Sequence, residues 1–424
     1  MFPSNLPILQ QMLGDARYVE FAAEMDELFR GDPQYTPRKL RTLLDGAARG
    51  ERIVPFEGRY VINSSVPPIP SRAFLTFLAG GVDRQRLFSD LAYARRSAPL
   101  SAHLCITSRC SYRCRHCGWT VLDRDAELKT NQWVGVIRDL QDSGAAFLVF
   151  SGGEPLLRED IEEIVAAVDE RSTTLLFTNG RALTLQRARA LKESGLFILA
   201  VSLDSPDPEE HNRIRQHPRA FDHALAAIRN AAAAGLYTLV SSVVFSRHLR
   251  KEYLFRLFRL AREHGAHEVR IHQPIPRGEL SDPQGVEGVF YTPQDITRLY
   301  RIQFAANQTR EGLPKVSSLP YTEGPRKFGC GAGVLHSYIS ATGDLWPCDF
   351  VPLRIGNVVQ EDLREVYGRM LAASGVPKNH CWARTLAGQL HGEKVPLGSE
   401  ESIALCRSCR SRFYPAFFRD LQAR

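Results

Sequence analysis

The stretch that decides the fold is HLCITSRCSYRCRHC, residues 103–117, in which an apolar run leads directly into three cysteines. The run HLCIT suits a buried β-strand, and Cys110, Cys114 and Cys117 follow it in one short loop. A loop with this spacing can direct three thiolates toward one point, and thiolates are soft ligands that suit zinc or iron–sulfur clusters. A structural zinc ion would require four ligands, whereas three cysteines on a cubane cluster leave one iron open to a further ligand.

The sequence after this loop alternates short apolar strands with helical stretches as far as residue 306. Six such units predict the α/β class, with a parallel sheet curled into a full or partial (βα)6 barrel and helices on its outside. Active-site residues in barrels of this kind follow the C-terminal ends of the strands. The strands are predicted at HLCIT, AAFLVFS, TTLLF, LFILAVSLD, YTLVSSVVF and EVRIHQP, and the helices over residues 131–142, 160–170, 183–194, 220–234 and 251–264.

An N-terminal α/β extension is predicted over residues 1–98, before the barrel of residues 99–312. It contains an amphipathic stretch over residues 19–30, a helix start at Thr36-Pro37 and a β-hairpin around Glu57-Gly58. Its role is unknown: it could be a small recognition domain or could only pack against the barrel.

A C-terminal unit is predicted over residues 313–424, where the alternation of strands and helices stops. Glycines, prolines and five cysteines dominate it, with a hairpin in YISATGDLWPC and a helix in EDLREVYGRM. A loop-rich segment with little core of its own suggests stabilisation by a metal centre.

The composition is that of a globular enzyme, with 44% hydrophobic and 24% charged residues and a formal net charge of +7. The charges are interspersed, so we expect no nucleic-acid partner, and an anionic small ligand is equally consistent with the net charge. No apolar run reaches the roughly 18 residues of a spanning helix, and the N-terminus does not have the pattern of a signal peptide. We expect a cytoplasmic protein, in which nine cysteines favour metal binding or catalysis over disulfides.

The pattern CxxxCxxC after the first strand resembles the radical S-adenosylmethionine (SAM) superfamily. The resemblance implies a [4Fe–4S] cluster on Cys110, Cys114 and Cys117, with SAM bound to the open iron. It also implies reductive cleavage of SAM to a 5′-deoxyadenosyl radical that abstracts a substrate hydrogen atom, with an external electron donor such as flavodoxin or ferredoxin. The alternatives are a zinc knuckle that includes Cys105, or plain buried thiols.

Further motifs on the following strands resemble SAM-binding features of the same family. Residues 152–154, Gly-Gly-Glu, resemble the motif that contacts the SAM amino group, although a mere strand-to-helix turn is an alternative. The fourth strand end is expected to contact the ribose, and an arginine after it the methionine carboxylate, with a surface ion pair as its alternative. The implied cofactor-binding residues are His116, Gly152, Gly153, Glu154, Ser202, Asp204 and Arg215.

The arginine motif departs from the common pattern HDxxRG of the family. This chain has Asn212 and Gln216 in place of the aspartate and the glycine. That departure weakens the roles assigned to His211 and Arg215. On the sixth strand, His272 is as consistent with a structural role as with a functional one.

The C-terminal cysteines resemble those of SPASM and twitch domains, which hold auxiliary iron–sulfur clusters. Cys330, Cys348, Cys406 and Cys409 would ligate one auxiliary [4Fe–4S] cluster, with zinc on the same four residues as the alternative. Cys381 is left over: it could replace one ligand, act as a catalytic thiol, or be a buried structural residue.

Together these features predict an oxidoreductase-type radical SAM enzyme. The expected reaction is dehydrogenation or cross-linking of a peptide or of a natural-product or cofactor precursor. Sugars, alcohols and lipids are alternative substrates, the last because Phe74, Leu75, Phe77 and Leu78 could face an apolar chain. A non-catalytic iron–sulfur or zinc protein is the alternative from another class.

Overall fold

The central element of the fold is a ten-stranded sheet with the strand order β12-β11-β10-β3-β4-β5-β6-β7-β8-β9. The structure is a computed structural model that describes residues 5–118, 127–281, 286–309, 311–387, 389–390 and 395–423. The strands are β1 (Val54–Phe56), β2 (Arg59–Val61), β3 (Ser101–Thr107), β4 (Phe147–Gly152), β5 (Thr173–Thr178), β6 (Ile198–Ser202), β7 (Tyr237–Val243), β8 (Glu268–His272), β9 (Lys315–Ser318), β10 (His336–Ile339), β11 (Asp344–Trp346) and β12 (Gly356–Asn357).

Helices cover the outer face of this sheet and both flanking units. The helices are α1 (Leu6–Gly14), α2 (Ala16–Phe29), α3 (Pro37–Ala48), α4 (Arg72–Ala79), α5 (Leu87–Ala92), α6 (Thr130–Ser143), α7 (Ile161–Ala166), α8 (Leu185–Glu193), α9 (Pro208–Arg215), α10 (Ala220–Ala233), α11 (Lys251–Glu263), α12 (Pro293–Gln308), α13 (Leu319–Thr322), α14 (Leu363–Ser374), α15 (Trp382–Leu386), α16 (Ser399–Ser408) and α17 (Ala416–Gln422). No helix among the described residues combines the length and apolar character needed to cross a bilayer.

The predicted α/β barrel is confirmed, because β3 to β8 pair in parallel in sequence order. Their side chains are buried on both faces, which explains the short continuous apolar runs in the sequence. The sheet is also longer than six strands. At one edge β9 pairs in parallel with β8, and at the other β10 pairs in parallel with β3.

The predicted hairpin at Glu57-Gly58 is present as β1 and β2, with both turn residues at positive φ. Its Phe56 packs against Phe197, Tyr237 and His267, with ring-centroid distances of 5.8, 5.4 and 4.9 Å. These three residues lie where β6, β7 and β8 begin. The hairpin therefore closes the N-terminal end of the barrel, opposite the end where the cysteine loop lies.

A buried ion network joins the N-terminal extension to the barrel and to the C-terminal unit. The Glu51 carboxylate lies 2.5 Å from Lys327 Nζ and 3.3 Å from Lys315 Nζ, and all three side chains are at most 1% exposed. Lys315 also lies 4.0 Å from Glu268 on β8. Removing one member of such a network leaves an uncompensated buried charge, so the three units are tied together.

Candidate active site

One cavity of about 440 Å³ is lined by all three cysteines of the loop and by three of the five C-terminal cysteines. It is lined by the cysteine loop, by the C-terminal ends and inner faces of the barrel strands, and by the N-terminal extension. This volume lies in the range of about 300–1,000 Å³ typical of ligand pockets. The thiol-bearing residues on its wall are Cys110, Cys114, Cys117, Cys330, Cys348 and Cys381.

The cysteine loop is held against helix α9 and helix α10. Arg115 N–H donates to Ile214 O over 3.0 Å, and Tyr112 Oη lies 2.8 Å from His223 Nδ1. No three thiol sulfurs of the described residues all lie within 4.8 Å of one another. One zinc ion, with bonds of about 2.3 Å to sulfur, would require a closer group, whereas a cluster fits a wider one.

Cys105 is not part of the loop's thiol group. It is fully buried in a small apolar cluster with Tyr338, Ala341 and Trp346. Burial raises the pKa of its thiol to about 12, so it stays protonated and apolar in character. This placement removes the fourth ligand of the zinc alternative.

The two glycines after β4 are required by close packing against the backbone that leads into the cysteine loop. A Cβ at Gly152 would lie 2.4 Å from Thr107 O, and one at Gly153 would lie 2.2 Å from Arg109 O. The same backbones bond directly, since Gly153 N–H donates to Thr107 O over 2.7 Å. The Gly-Gly pair therefore fixes where the cysteine loop starts, in addition to leaving room for a ligand.

Glu154 is a buried carboxylate whose oxygens are already engaged. It accepts hydrogen bonds from Thr178 Oγ1 at 2.8 Å, Asn179 N–H at 2.7 Å and Leu156 N–H at 3.1 Å. Burial raises the pKa of Glu154, and these donors oppose that shift. These hydrogen bonds join the end of β4 to the end of β5. Glu154 also lines the cavity, and its direct contact with SAM stays a prediction.

Arg215 forms a buried ion pair with Asp204, and the surface alternative is therefore wrong. Arg215 Nε and Nη2 lie 2.6 and 2.9 Å from the two carboxylate oxygens of Asp204. Burial alone would raise the pKa of Asp204, but Arg215 and two nearby imidazoles lower it to about 2. Arg215 Nη1 also lies 3.8 Å from Cys114 Sγ, which places a positive charge beside the cysteine loop.

Ser202 and Arg215 line the cavity, whereas Asp204 is not among its lining residues. Both Asp204 oxygens are engaged by Arg215, and one also accepts from Val243 N–H at 2.9 Å. The structure thus brings Asp204 to the site as the partner that orients Arg215. Its predicted ribose contact has no support from this geometry.

The departures from HDxxRG have a structural explanation. Gln216 adopts φ 52°, the left-handed conformation for which glycine is favoured, and it ends helix α9. Asn212 bonds to the backbone of Pro218 and Phe221. The backbone geometry that presents Arg215 is thus formed without the glycine.

Two buried side-chain nitrogens belong to residues on the cavity wall and lack a hydrogen-bond partner within the described chain. Nδ1 of His116 and Nδ2 of Asn179 have no hydrogen-bond partner among the described residues, although both residues line the cavity. Such orphaned groups are costly unless a bound molecule completes them. Burial lowers the pKa of His116 to about 4, so its ring is neutral and suits packing beside an uncharged base.

Three of the C-terminal cysteines, Cys330, Cys406 and Cys409, lie near Lys378. Cys330 exchanges two backbone hydrogen bonds with it, and the charge of Lys378 also acts on Cys406 and Cys409. Burial raises the pKa of Cys406 to about 12, so a thiolate there needs the compensating charge of a metal centre. Cys381 lies in the same neighbourhood, on the cavity wall, so its role stays open.

The model of the radical SAM superfamily matches residues 104–271 of this chain. Residues 104–271 are a radical SAM domain. Domains of this family use a [4Fe–4S] cluster and SAM, and the thiols, the glycine pair and the orphaned polar atoms of this chain fit both groups. The family resemblance of the cysteine loop is thereby confirmed.

The similarity to curated relatives extends beyond the radical SAM domain of this chain. An AdoMet-dependent heme synthase of Methanosarcina barkeri is 28% identical over 336 residues, which cover 73% of this chain and 91% of the relative. The protein of the same name from Nitratidesulfovibrio vulgaris is 26% identical, covering 73% and 86%.

Solved structures share the fold. SuiB of Streptococcus suis bound to S-adenosylmethionine superposes with a TM-score of 0.57 and 18% identity, covering 74% of this chain and 79% of SuiB. The structure of anSMEcpe with AdoMet and a peptide gives a TM-score of 0.51 and 18% identity, covering 68% and 83%. At this level of identity the two superpositions show a shared fold.

A polar group deep in the cavity was missed by the sequence reasoning. It consists of His103, His336 and Asp349, whose ligand atoms lie within 4.8 Å of one another. Arg270 and Glu323 also line this part of the cavity. The only available signal was the position of Asp349 directly after Cys348, because the two histidines lie on strands that become neighbours only in the folded chain.

Proposed function

We propose that this chain is a radical SAM enzyme that oxidises a small molecule enclosed in the cavity, and that the substrate is a tetrapyrrole precursor of heme. The observation that carries the proposal is the single cavity shared by the cysteine loop and by Cys330, Cys348 and Cys381. A substrate in this cavity has a radical source and an electron acceptor within one enclosure. When bound, the first cluster and SAM supply a 5′-deoxyadenosyl radical, which abstracts a hydrogen atom from the substrate.

The relatives support the choice of tetrapyrrole. Two proteins named AdoMet-dependent heme synthase match 73% of this chain, well beyond the radical SAM domain alone. The match also covers 91% of one relative, so most of that relative's length is part of the comparison.

The wall of the cavity supports a bulky apolar substrate. Aromatic and aliphatic side chains from the inner face of the barrel and from the N-terminal extension line it. For Phe74, Leu75, Phe77 and Leu78 the sequence allowed either ordinary packing or contact with an apolar chain. Phe74 and Phe77 line the cavity, while Leu75 and Leu78 pack in the core of the extension. Further apolar residues on the wall are Ile62, Ile69, Phe147, Val149, Leu175 and Phe177.

The chain's own residues would position the cofactors. Cys110, Cys114 and Cys117 would hold the first cluster, and Cys330, Cys348, Cys406 and Cys409 the auxiliary one. Arg215, fixed by Asp204, would present its guanidinium to the SAM carboxylate. The hairpin that closes the far end of the barrel would exclude water from the reaction. We also propose an external donor, flavodoxin or ferredoxin, for the reducing electron.

The test is SAM cleavage by anaerobically reconstituted protein with dithionite. We expect 5′-deoxyadenosine formation to rise when tetrapyrroles with and without iron are supplied, and deuterium to move from a deuterated substrate into 5′-deoxyadenosine. Cys114→Ala should abolish cleavage. Stimulation by peptides alone, with no response to any tetrapyrrole, would favour the peptide-modifying alternative, and absence of all cleavage would favour a non-catalytic protein.

A further inference from the structure

A carboxylate placed between two imidazoles lies on the cavity wall. Asp349 Oδ1 lies 2.7 Å from His103 Nδ1, and Asp349 Oδ2 lies 2.9 Å from His336 Nε2. The two rings are nearly perpendicular, with centroids 4.4 Å apart. The three residues come from β3, from β10 and from the position after Cys348, so the fold and not local sequence brings them together.

The hydrogen bonds of this group leave one nitrogen available. An ionised carboxylate only accepts hydrogen bonds, so Nδ1 of His103 must carry the hydrogen, and the lone pair of the neutral ring is then on Nε2. Nε2 of His103 has no hydrogen-bond partner among the described residues. His336 has no such free nitrogen, because its Nδ1 lies 3.0 Å from Ser101 Oγ.

This arrangement is the one that supports a histidine ligand of a metal. Metal-binding histidines usually donate their second ring N–H to a carboxylate, which fixes the tautomer and makes the free nitrogen more basic. The other imidazole on the inner barrel wall, His272, lacks that support, since its Nε2 contacts the Ser241 hydroxyl at 3.1 Å. A three-residue site for a free ion is less consistent with the contacts, because both ring N–H groups already bond to Asp349.

We propose that Nε2 of His103 is an axial ligand to the iron of a metallated tetrapyrrole, and that Asp349 and His336 hold its ring in position. The inference rests on the proposed function and names how this chain would hold that substrate. A single imidazole axial ligand is the common way in which proteins bind heme iron. The buried guanidinium of Arg270, which bonds Ser64 Oγ on the same wall, offers a cation for acidic side groups of the macrocycle.

The test uses cluster-loaded protein and one equivalent of iron(II) protoporphyrin IX under anaerobic conditions. Resonance Raman spectra excited in the Soret band should show an iron–histidine stretching band with wild-type protein. The band should disappear in His103→Gly and return when free imidazole is added, because imidazole can occupy the space left by the ring. His272→Ala is the matched control and should keep the band.

Asp349→Asn gives a second test in which the His103 ring, the proposed iron ligand, is kept. An amide cannot withdraw the Nδ1 proton as a carboxylate does, so the iron–histidine band should move to lower frequency. Affinity for the iron porphyrin should fall by about 10–100-fold, the usual effect of removing such a partner. Iron and sulfide contents equal to those of wild type would show that each variant is folded.

The proposal is overturned if His103→Gly retains the band, if wild-type protein shows none, or if loss of the band is not reversed by imidazole. These outcomes are distinct from failure of the proposed function, which is decided by tetrapyrrole-dependent formation of 5′-deoxyadenosine. An enzyme that cleaves SAM in response to a tetrapyrrole but shows no histidine-ligated iron would retain the function and lose this inference.

Discussion

Gly153→Ala should displace the cysteine loop without touching any cysteine. The added Cβ would lie 2.2 Å from Arg109 O and 2.9 Å from Ser108 C, which are backbone atoms that cannot rotate away. Contacts of real Cβ atoms are essentially never under 3.0 Å, so the two backbones must separate by about 0.8 Å. Overpacking of this kind costs about 1–3 kcal/mol of folding free energy.

The displacement should affect the chemistry as well as the stability. Arg109 directly precedes Cys110, so a shift of this size moves the first thiolate of the cluster. Misplacement of reacting groups by about 1 Å can cost about 100-fold in rate. We therefore expect Gly153→Ala to keep a folded chain with a lower melting temperature, reduced iron per chain, and SAM cleavage lowered by about two orders of magnitude.

Gly135→Ala is the matched control. It lies inside helix α6 with no atom within 4 Å of the added Cβ, so the same substitution should stabilise the protein by about 0.5–1 kcal/mol. The measurements are thermal unfolding, iron quantitation and 5′-deoxyadenosine formation on both variants. Wild-type iron content and cleavage rate in Gly153→Ala would refute the reasoning that the glycine pair positions the loop.

Three further predictions concern the buried charges and the auxiliary cysteines. Glu51→Gln should lower the free energy of unfolding in urea by about 3–5 kcal/mol, because it leaves buried Lys327 without a carboxylate partner and Lys315 with only its 4.0 Å contact to Glu268. Lys192→Met, which breaks a partly exposed pair, should cost under about 1 kcal/mol. Asp204→Asn should lower the free energy of unfolding by the same amount at every pH from about 6 to 9. Its effect should shrink below about pH 4, because a carboxyl with a folded pKa of about 2 stabilises only while ionised; pH-dependent denaturation checks this. Cys406→Ala should lose about four iron atoms per chain, and Cys381→Ala none, by iron and sulfide analysis.

The barrel was predictable because its signals are local. Each strand from β3 to β8 is a continuous apolar run followed by a helix, and the predicted helix of residues 220–234 is observed as Ala220–Ala233. The hairpin at Glu57-Gly58 was predictable because a turn of this type requires positive φ at both residues. The spacing of the cysteines predicted the metal-binding loop because that signal is also local: all three cysteines lie within eight residues.

What the sequence did not reveal depends on contacts between distant segments. Strand β9 lies beyond the predicted barrel boundary at residue 312, and only its pairing with β8 identifies it as part of the sheet. The short helices α4 and α5 follow a proline-rich stretch and were not predicted, because their apolar faces become meaningful only when packed in the N-terminal core. The functional and packing roles of the extension could not be separated for the same reason.

The sequence predicted the role of a side chain at the site only where that residue belongs to a recognisable motif. Arg215 was placed near SAM from its spacing, but the orientation of Asp204 toward that guanidinium required the folded geometry. The glycine pair was identified from its resemblance to a SAM-binding motif, whereas its close packing against the backbone of Thr107 and Arg109 required the folded geometry. The group of His103, His336 and Asp349 spans about 250 residues of sequence and has no local signature.

Electron–nuclear double resonance on the reduced protein tests the central claim most directly. Samples would contain SAM labelled with ¹⁵N in the amino group or ¹⁷O in the carboxylate of its methionine part. The account predicts hyperfine coupling of both labels to the cluster on the cysteine loop, lost in Cys114→Ala, since one iron there has no protein ligand. A cluster that binds SAM weakly or remotely, with no coupling from either label, or zinc bound in its place, would contradict it.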